Sequence, residues 1–345
     1  MRLGIIARSD NTGLGNQTRE LVNMLSPDKI LLIDSTPFNK NKQHPEWYEK
    51  YSCIKSNGFP SVQQVKMFLG DVDVVLSCET FYDQNFIRFA NKKNVKTILQ
   101  YNYELFGHLS NPNLPLPTVL LSPSIWQIDQ IKKMFGNQTK IEYLPPPTNE
   151  ELFNKVKENN LSKSHNKILH IAGKRAAKDR NGTDTVIDML KHSKADYELI
   201  IRSQGEIETN IKDSRLKIEI NNIDNRENMY DGFDAMVLPR RYAGLCLPMN
   251  EALLSALPVF MTNISPNNFI LPQEWLVKSD SIGTIRTKVR LELFEADSKV
   301  LAKTIDDYVM IKDKTFYKEQ AYNIGVSNFS PTILKNKYTE LIAQI

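Results

Sequence analysis

The sequence predicts an α/β protein built from two Rossmann-like domains. Three observations carry this. Short apolar β-type runs alternate with helical patterns, a proline-rich break interrupts the alternation near mid-chain, and the alternation then restarts. The break is Leu144-Pro145-Pro146-Pro147-Thr148-Asn149, and consecutive prolines continue neither a sheet nor a helix. The expected division is residues 1–147 for the first domain, joined by a terminal helix over 330–345. A linker over 148–166 and a second domain over 167–329 complete it. A chain of 345 residues is long enough for two separate cores.

In the first domain, strands are expected at Leu3–Ala7, Ile30–Ile33, Val72–Leu76, Lys96–Tyr101, Thr118–Leu121 and Lys140–Tyr143. Helices are expected between them at Thr18–Leu25 and Ile125–Phe135. In the second domain, strands are expected at Lys167–Ala172, Tyr197–Arg202, Leu216–Ile220, Ala235–Leu238 and Pro258–Thr262. Its helices are expected at Thr183–His192, Met249–Leu257 and Ser298–Ile311, and the tail runs helical over Thr332–Ile345. A small molecule bound between the two domains is the expectation for such an architecture.

Composition bounds the function classes. Hydrophobic residues make up 41% and charged residues 24%, values of an ordinary globular protein. No apolar run reaches the length of a membrane span, and the N-terminus enters strand-like sequence at once, so a cytoplasmic location is expected. The three cysteines, Cys53, Cys78 and Cys246, are far apart and indicate neither a disulfide framework nor a zinc site. A net charge of +4 is compatible with an anionic ligand, a membrane surface or nucleic acid and selects none of them.

The most informative stretch is residues 239–253, Pro-Arg-Arg-Tyr-Ala-Gly-Leu-Cys-Leu-Pro-Met-Asn-Glu-Ala-Leu. A strand feeding a glycine turn and then a helix builds an anion pocket. The turn's N–H groups and the helix dipole face the ligand, and Gly244 lets the backbone of Gly244-Leu245 approach closely. Arg240 and Arg241 can add charge-assisted contacts to phosphate, or one of them can brace the turn by pairing with a carboxylate. Glu251 sits where a carboxylate accepts hydrogen bonds from a ribose. The chemistry suggested is recognition of a sugar nucleotide.

This stretch resembles the donor-binding signature of family 4 glycosyltransferases of GT-B fold, in which two glutamates flank a glycine-rich turn. Glu251 matches the second glutamate. Ala243 stands at the position of the first, which in that family touches the transferred sugar. The segments Leu121–Ser124, Pro145–Phe153, Ile168–Gly173 and Arg240–Thr262 follow the family pattern well, whereas 35–70 and 263–300 match poorly. The resemblance implies a GT-B fold, a nucleotide-sugar donor (most simply a UDP-sugar), retention of anomeric configuration and no cofactor or bound metal.

Further candidates follow from placement at strand ends. Gly13, Gly15 and Asn16, in Asn11–Gln17, join the first strand to its helix, where paired glycines free the backbone to approach phosphate or sugar. Gly173–Gly182 carries Lys174, Arg175, Lys178 and Arg180, cations suited to a leaving diphosphate; Lys174 and Arg180 are the expected catalytic cations. A solvated charged loop is the plain alternative. Arg202 ends another predicted strand and can enter the same site or stay exposed at its edge. Gln100–Glu104 follows a first-domain strand on the acceptor side. Its Glu104 can bind or deprotonate a hydroxyl, and Tyr101 and Tyr103 can stack on a sugar or base, unless the loop is simply buried. Asp71-Val72-Asp73 resembles a metal motif but reads better as the start of a strand.

The expected function is transfer of a sugar from a nucleotide diphosphate donor to a hydroxyl of a glycan or glycolipid. Two alternatives remain open: a phage-type enzyme glycosylating hydroxymethylated bases of DNA, and an inactive sugar-nucleotide binder in which Ala243 records the lost carboxylate.

Overall fold

The computed structural model describes all residues except Pro112, 174–178, Asn221, Asn222, Asp224 and Ala243. The chain falls into two compact units, residues 1–148 with 329–345, and residues 149–328.

The first unit runs β1 (Leu3–Arg8), α1 (Gly13–Leu25), β2 (Lys29–Asp34), β3 (Cys53–Asn57), α2 (Val62–Phe68), β4 (Val74–Cys78), α3 (Phe86–Lys92), β5 (Lys96–Gln100), β6 (Val119–Ser122), α4 (Ile128–Phe135) and β7 (Lys140–Tyr143). Its seven strands form a parallel sheet in the order β3-β2-β1-β4-β5-β6-β7. Ile5, Leu32, Val74, Leu76, Ile98 and Leu121 are buried beneath α1 and the chain's last helix.

The second unit contains α5 (Asn154–Ser162), β8 (Lys167–Gly173), α6 (Thr183–Met189), β9 (Glu198–Ser203), β10 (Leu216–Ile220), β11 (Ala235–Leu238), α7 (Leu247–Leu254), β12 (Val259–Thr262), α8 (Asn267–Ile270) and β13 (Leu276–Val277). The hairpin β14 (Ser279–Arg286) and β15 (Arg290–Ala296) follows, then α9 (Ser298–Val309) and α10 (Thr315–Phe329). Six strands form a second parallel sheet in the order β10-β9-β8-β11-β12-β13. Both sheets reverse strand order beside their first strand, between β1 and β4 and between β8 and β11. In open parallel sheets ligands bind outside the carboxyl ends of such a pair.

The final helix, α11 (Pro331–Ala343), is capped by Ser330 and inserts Leu334, Tyr338 and Leu341 into the first unit's core. There the Tyr338 hydroxyl accepts from Gln100 Nε2 at 2.9 Å and donates to the Pro145 carbonyl at 3.1 Å.

Several element boundaries differ from the sequence expectation for local reasons. Helix α1 starts at Gly13, not Thr18, because the Thr12 hydroxyl accepts from Gly15 N and caps it. Strand β4 starts at Val74, not Val72. Asp73 takes the Arg2 amide at 2.7 Å and lies 3.6 Å from the Arg2 guanidinium, and Asp71 pairs with Lys29, so the Asp-Val-Asp carboxylates are tied to neighbouring cations. Residues 150–162 form a short 3-10 turn and α5.

The second unit is organised around a buried ion pair. Lys318 of α10 donates to Asp234 Oδ1 at 2.8 Å and to the carbonyls of Asn160 and Lys163 at 2.6 and 3.1 Å. Asp234 also accepts from Ser164 Oγ, His165 N and Asn166 N. Burial pushes the Asp234 carboxyl up, but Lys318 and these donors outweigh it and hold it below the ordinary carboxylate range. A depressed folded-state value contributes stability that is complete above the unfolded value of about 4. That contribution is lost as pH falls from there through the folded value. Lys318→Met is therefore expected to destabilise the second unit by roughly 3–5 kcal/mol at neutral pH. Urea denaturation at pH 7 measures this, and repeating it below about pH 4 should show a smaller difference from wild type.

Candidate donor site at the carboxyl ends of β8 and β11

Strands β8 and β11 lie side by side, pairing Ile168 with Ala235 and Leu169 with Met236. Their carboxyl ends release the loops 173–182 and 239–246, and the two loops are locked to each other. Arg241 N donates to the Arg180 carbonyl at 2.9 Å. The Arg180 guanidinium lies 4.7 Å from the centre of the Tyr242 ring, a cation–π contact. Gly182 has φ of 72°, and a Cβ there would sit 2.2 Å from the Pro239 carbonyl oxygen, so only glycine permits this approach.

Below the loops, the buried His170 joins β8 to its neighbours. Nδ1 is 2.8 Å from the Val237 carbonyl oxygen and Nε2 2.9 Å from Thr183 Oγ1. Burial pushes its pKa down to about 4, so it stays neutral and structural. Asp179 takes the amides of Thr183 and Asp184 at 3.0 and 2.9 Å, so the start of α6 is already capped by a carboxylate. The Asn181 side chain donates to the carbonyls of Ile171 and Ala172.

The two arginines of the 239–246 loop divide their work. Arg241 pairs with Glu295 of β15, and its carbonyl accepts from Phe294 N at 2.7 Å, so it braces the loop against the hairpin. Arg240 is only 4% exposed, and among the described residues it pairs with no carboxylate. One terminal nitrogen reaches the Leu245 carbonyl at 3.3 Å, and its Nε has no partner among the described residues. A buried guanidinium left this way is set to receive an anion. Gly244 has φ of 124°, which favours glycine, and leads into α7. Cys246, at the N-cap of α7, makes no side-chain cap bond.

Glu251 lies one turn into α7, 5% exposed. Its Oε1 is 2.9 Å from Arg226 Nε, and its Oε2 accepts from the Tyr230 hydroxyl at 2.5 Å. Burial pushes its pKa up, and Arg226 and Tyr230 offset part of that. Among the described residues each oxygen has one partner, so the carboxylate has lone pairs that a further donor can use.

Other expected site residues lie elsewhere. Arg202 is committed to structure: Nε donates to Glu219 at 3.1 Å, a terminal nitrogen to the Asn228 carbonyl at 2.7 Å, and the guanidinium lies over Phe233. In the first unit, Gly13 and Gly15 belong to α1. A Cβ on Gly15 would meet the Asp10 carbonyl oxygen at 1.8 Å, so this glycine serves chain packing. Asn16 donates to Asn11.

The stacking faces expected of Tyr101 and Tyr103 are not available. Tyr101 is 1% exposed and packs on Phe106. Tyr103 is buried, bonds Gln130 at 2.7 Å and meets Trp126 edge-on. Glu104 is buried in a 3-10 turn. Lys174, Arg175, Lys178 and Ala243 lie outside the described residues. Sequence reasoning missed Arg226, Tyr230 and Tyr242. They reach the site through contacts distant in sequence or from a loop whose arginines drew the attention, and only the aromatic beside Arg241 was a visible signal.

No family model matches the chain, and no curated protein sequence matches it. Solved structures do. Over the full length of both chains it superposes on HepE of Anabaena in complex with UDP-glucose, with a TM-score of 0.69 at 11% identity. Sucrose-phosphate synthase from Thermosynechococcus elongatus gives 0.67 at 12% identity, covering 100% of this chain and 98% of that one. An alpha-glucosyltransferase (AGT) in complex with UDP gives 0.64 at 9% identity, covering 99% and 100%. The chain thus has the GT-B fold, two Rossmann-like α/β domains built on parallel sheets, as solved glycosyltransferases have.

Proposed function

We propose that this protein is a glycosyltransferase that moves a sugar from a UDP-sugar to a hydroxyl acceptor, with retention of configuration and with arginine and lysine carrying the charge stabilisation. The observation that carries the proposal is Arg240, a buried cation with no carboxylate partner among the described residues, placed beside the Gly244 turn where two strand-end loops meet. The fold and the neighbours solved with UDP or UDP-glucose support the same reading.

In this reading Arg240 and Arg180 hold the donor's diphosphate, with Lys174, Arg175 and Lys178 drawn from the same loop. Glu251, steadied by Arg226 and Tyr230, accepts from the ribose hydroxyls. As the bond between the sugar's anomeric carbon and the phosphate oxygen breaks, negative charge grows on the departing diphosphate. Fixed cations and the amides of Gly244-Leu245 stabilise that charge more than they stabilise the bound donor. The sugar passes through a state of oxocarbenium character.

A panel of nucleotide sugars tests this by following released nucleoside diphosphate, with UDP affinity measured by calorimetry. Arg240→Ala is expected to weaken UDP binding by about 10–100-fold, the loss of a charge-assisted contact of ~1.5–3 kcal/mol. Arg202→Ala, which among the described residues breaks contacts with Glu219, Asn228 and Phe233, is expected to leave UDP affinity within about 2-fold. Equal losses in both variants, or none in either, would contradict the assignment.

A further inference from the structure

The first unit holds a pocket of about 670 Å³, within the size range of small-molecule sites, that the donor chemistry does not use. It opens beyond the carboxyl end of β4, where residues 79–85 line it. Its walls are mainly apolar: Phe59, Phe81, Leu99, Phe106 and Leu114. At its mouth stand side chains rarely left to water. Phe59 is 70% exposed and Leu105 48% exposed, and Phe38 meets Phe59 edge-on with ring centres 4.9 Å apart.

One end of the pocket is polar and acidic. Glu79 lines it and accepts from Asn102 Nδ2 at 2.6 Å. Two residues of this loop, Glu79 and Tyr82, take left-handed backbone conformations with φ of 62° and 59°, and both line the pocket. Such strain in non-glycine residues persists where surrounding structure enforces it, and it concentrates at ligand sites. Burial pushes the Glu79 carboxyl up; the Asn102 bond and the positive charge of nearby Arg8 offset part of this, while neighbouring Glu104 adds negative charge. Asp83 also lines the pocket, and no lysine or arginine does among the described residues.

We infer that this pocket binds the acceptor as an uncharged amphiphile, its apolar body on the Phe59–Leu105 rim and inside the pocket and its hydroxyl hydrogen-bonded to Glu79. The inference names the acceptor class for the glycosyl transfer proposed above and rests on that reading. Acidic lining disfavours an acceptor that carries phosphate at this point. The polar groups gather at one end and most of the lining surface is apolar, whereas a glycan chain presents many hydroxyls that need partners along its length. Phe59 and Leu105 explain themselves as the landing surface for an apolar chain.

The test uses the full chain and octyl β-D-glucopyranoside below its micelle concentration, with binding followed by NMR titration and UDP affinity measured in the same samples. Saturable binding is expected. Glu79→Gln and Phe59→Ser should each weaken it about tenfold, because each removes one of the two proposed contacts. Leu114→Trp, at a half-buried wall position, should abolish it by filling the pocket, with circular dichroism confirming the fold. Octyl sulfate, with the same chain and a charged head, should bind at least tenfold more weakly.

Absence of saturable binding by the folded protein would overturn the proposal. So would binding indifferent to Leu114→Trp and Glu79→Gln, or preference for octyl sulfate. Failure to bind UDP would instead strike the donor reading and leave the pocket result to stand by itself.

Discussion

The buried contact between Lys318 and Asp234 is the constraint on which the second unit depends. Asp234 immediately precedes β11, and its carboxylate gathers the backbone of 164–166 just before β8. Strands β8 and β11 are thereby fixed at their amino ends by one carboxylate. Lys318 neutralises it and takes up the carbonyls of Asn160 in α5 and of Lys163 just past its end. Nearby, Asn160 donates to the carbonyls of Tyr230 and Ser255 and accepts from Gly232 N, which settles the approach to β11 and the end of α7. An ion pair this buried adds little net energy over an apolar equivalent, but losing one partner is costly, so it acts as a registration device for the strands above it.

The chemistry at the opposite ends of those strands follows from the same rigidity. Tyr230 is positioned by Asn160 and reaches Glu251; Arg226 closes on the carboxylate's other oxygen. Helix α10 packs so tightly on α7 that a Cβ on Gly325 would lie 3.0 Å from the backbone of Leu253 and Leu254. Glu251 is therefore held from the side and from below before any ligand arrives. Arg241 anchors the signature loop to the β14–β15 hairpin, and Arg240 bonds the Leu245 carbonyl and pairs with no carboxylate among the described residues. Preorganisation of this kind is what stabilisation of a departing diphosphate requires.

What the sequence made legible was what local pattern encodes. Buried apolar runs such as Ile5-Ile6-Ala7 and Met236-Val237-Leu238 marked strands, and Gly244 between Arg241 and Glu251 marked the turn from β11 into α7. Elements whose buried faces are not apolar escaped. Helix α10 buries Lys318, Ala321 and Gly325 and only at its last residue a large apolar side chain, Phe329, so there is little hydrophobic stripe to read. Strand β3 sits at the sheet edge with Cys53 and Ile54 half-exposed and Lys55 in water, so its alternation is weak. Side-chain fate was the least legible. Tyr101 and Arg202 have the chemistry of site residues and are consumed by packing on Phe106 and by Glu219. Glu79 gave no signal, because its role comes from a left-handed backbone and from Asn102, neither of which has a local sequence signature.

The measurement that tests the central claim most directly is hydrogen–deuterium exchange with and without saturating UDP. The account predicts slowed exchange in the loops 173–182 and 239–246 and in the first turns of α7, with the 79–108 region of the first unit unchanged. Protection confined to the first unit, or no protection despite measured UDP binding, would contradict it.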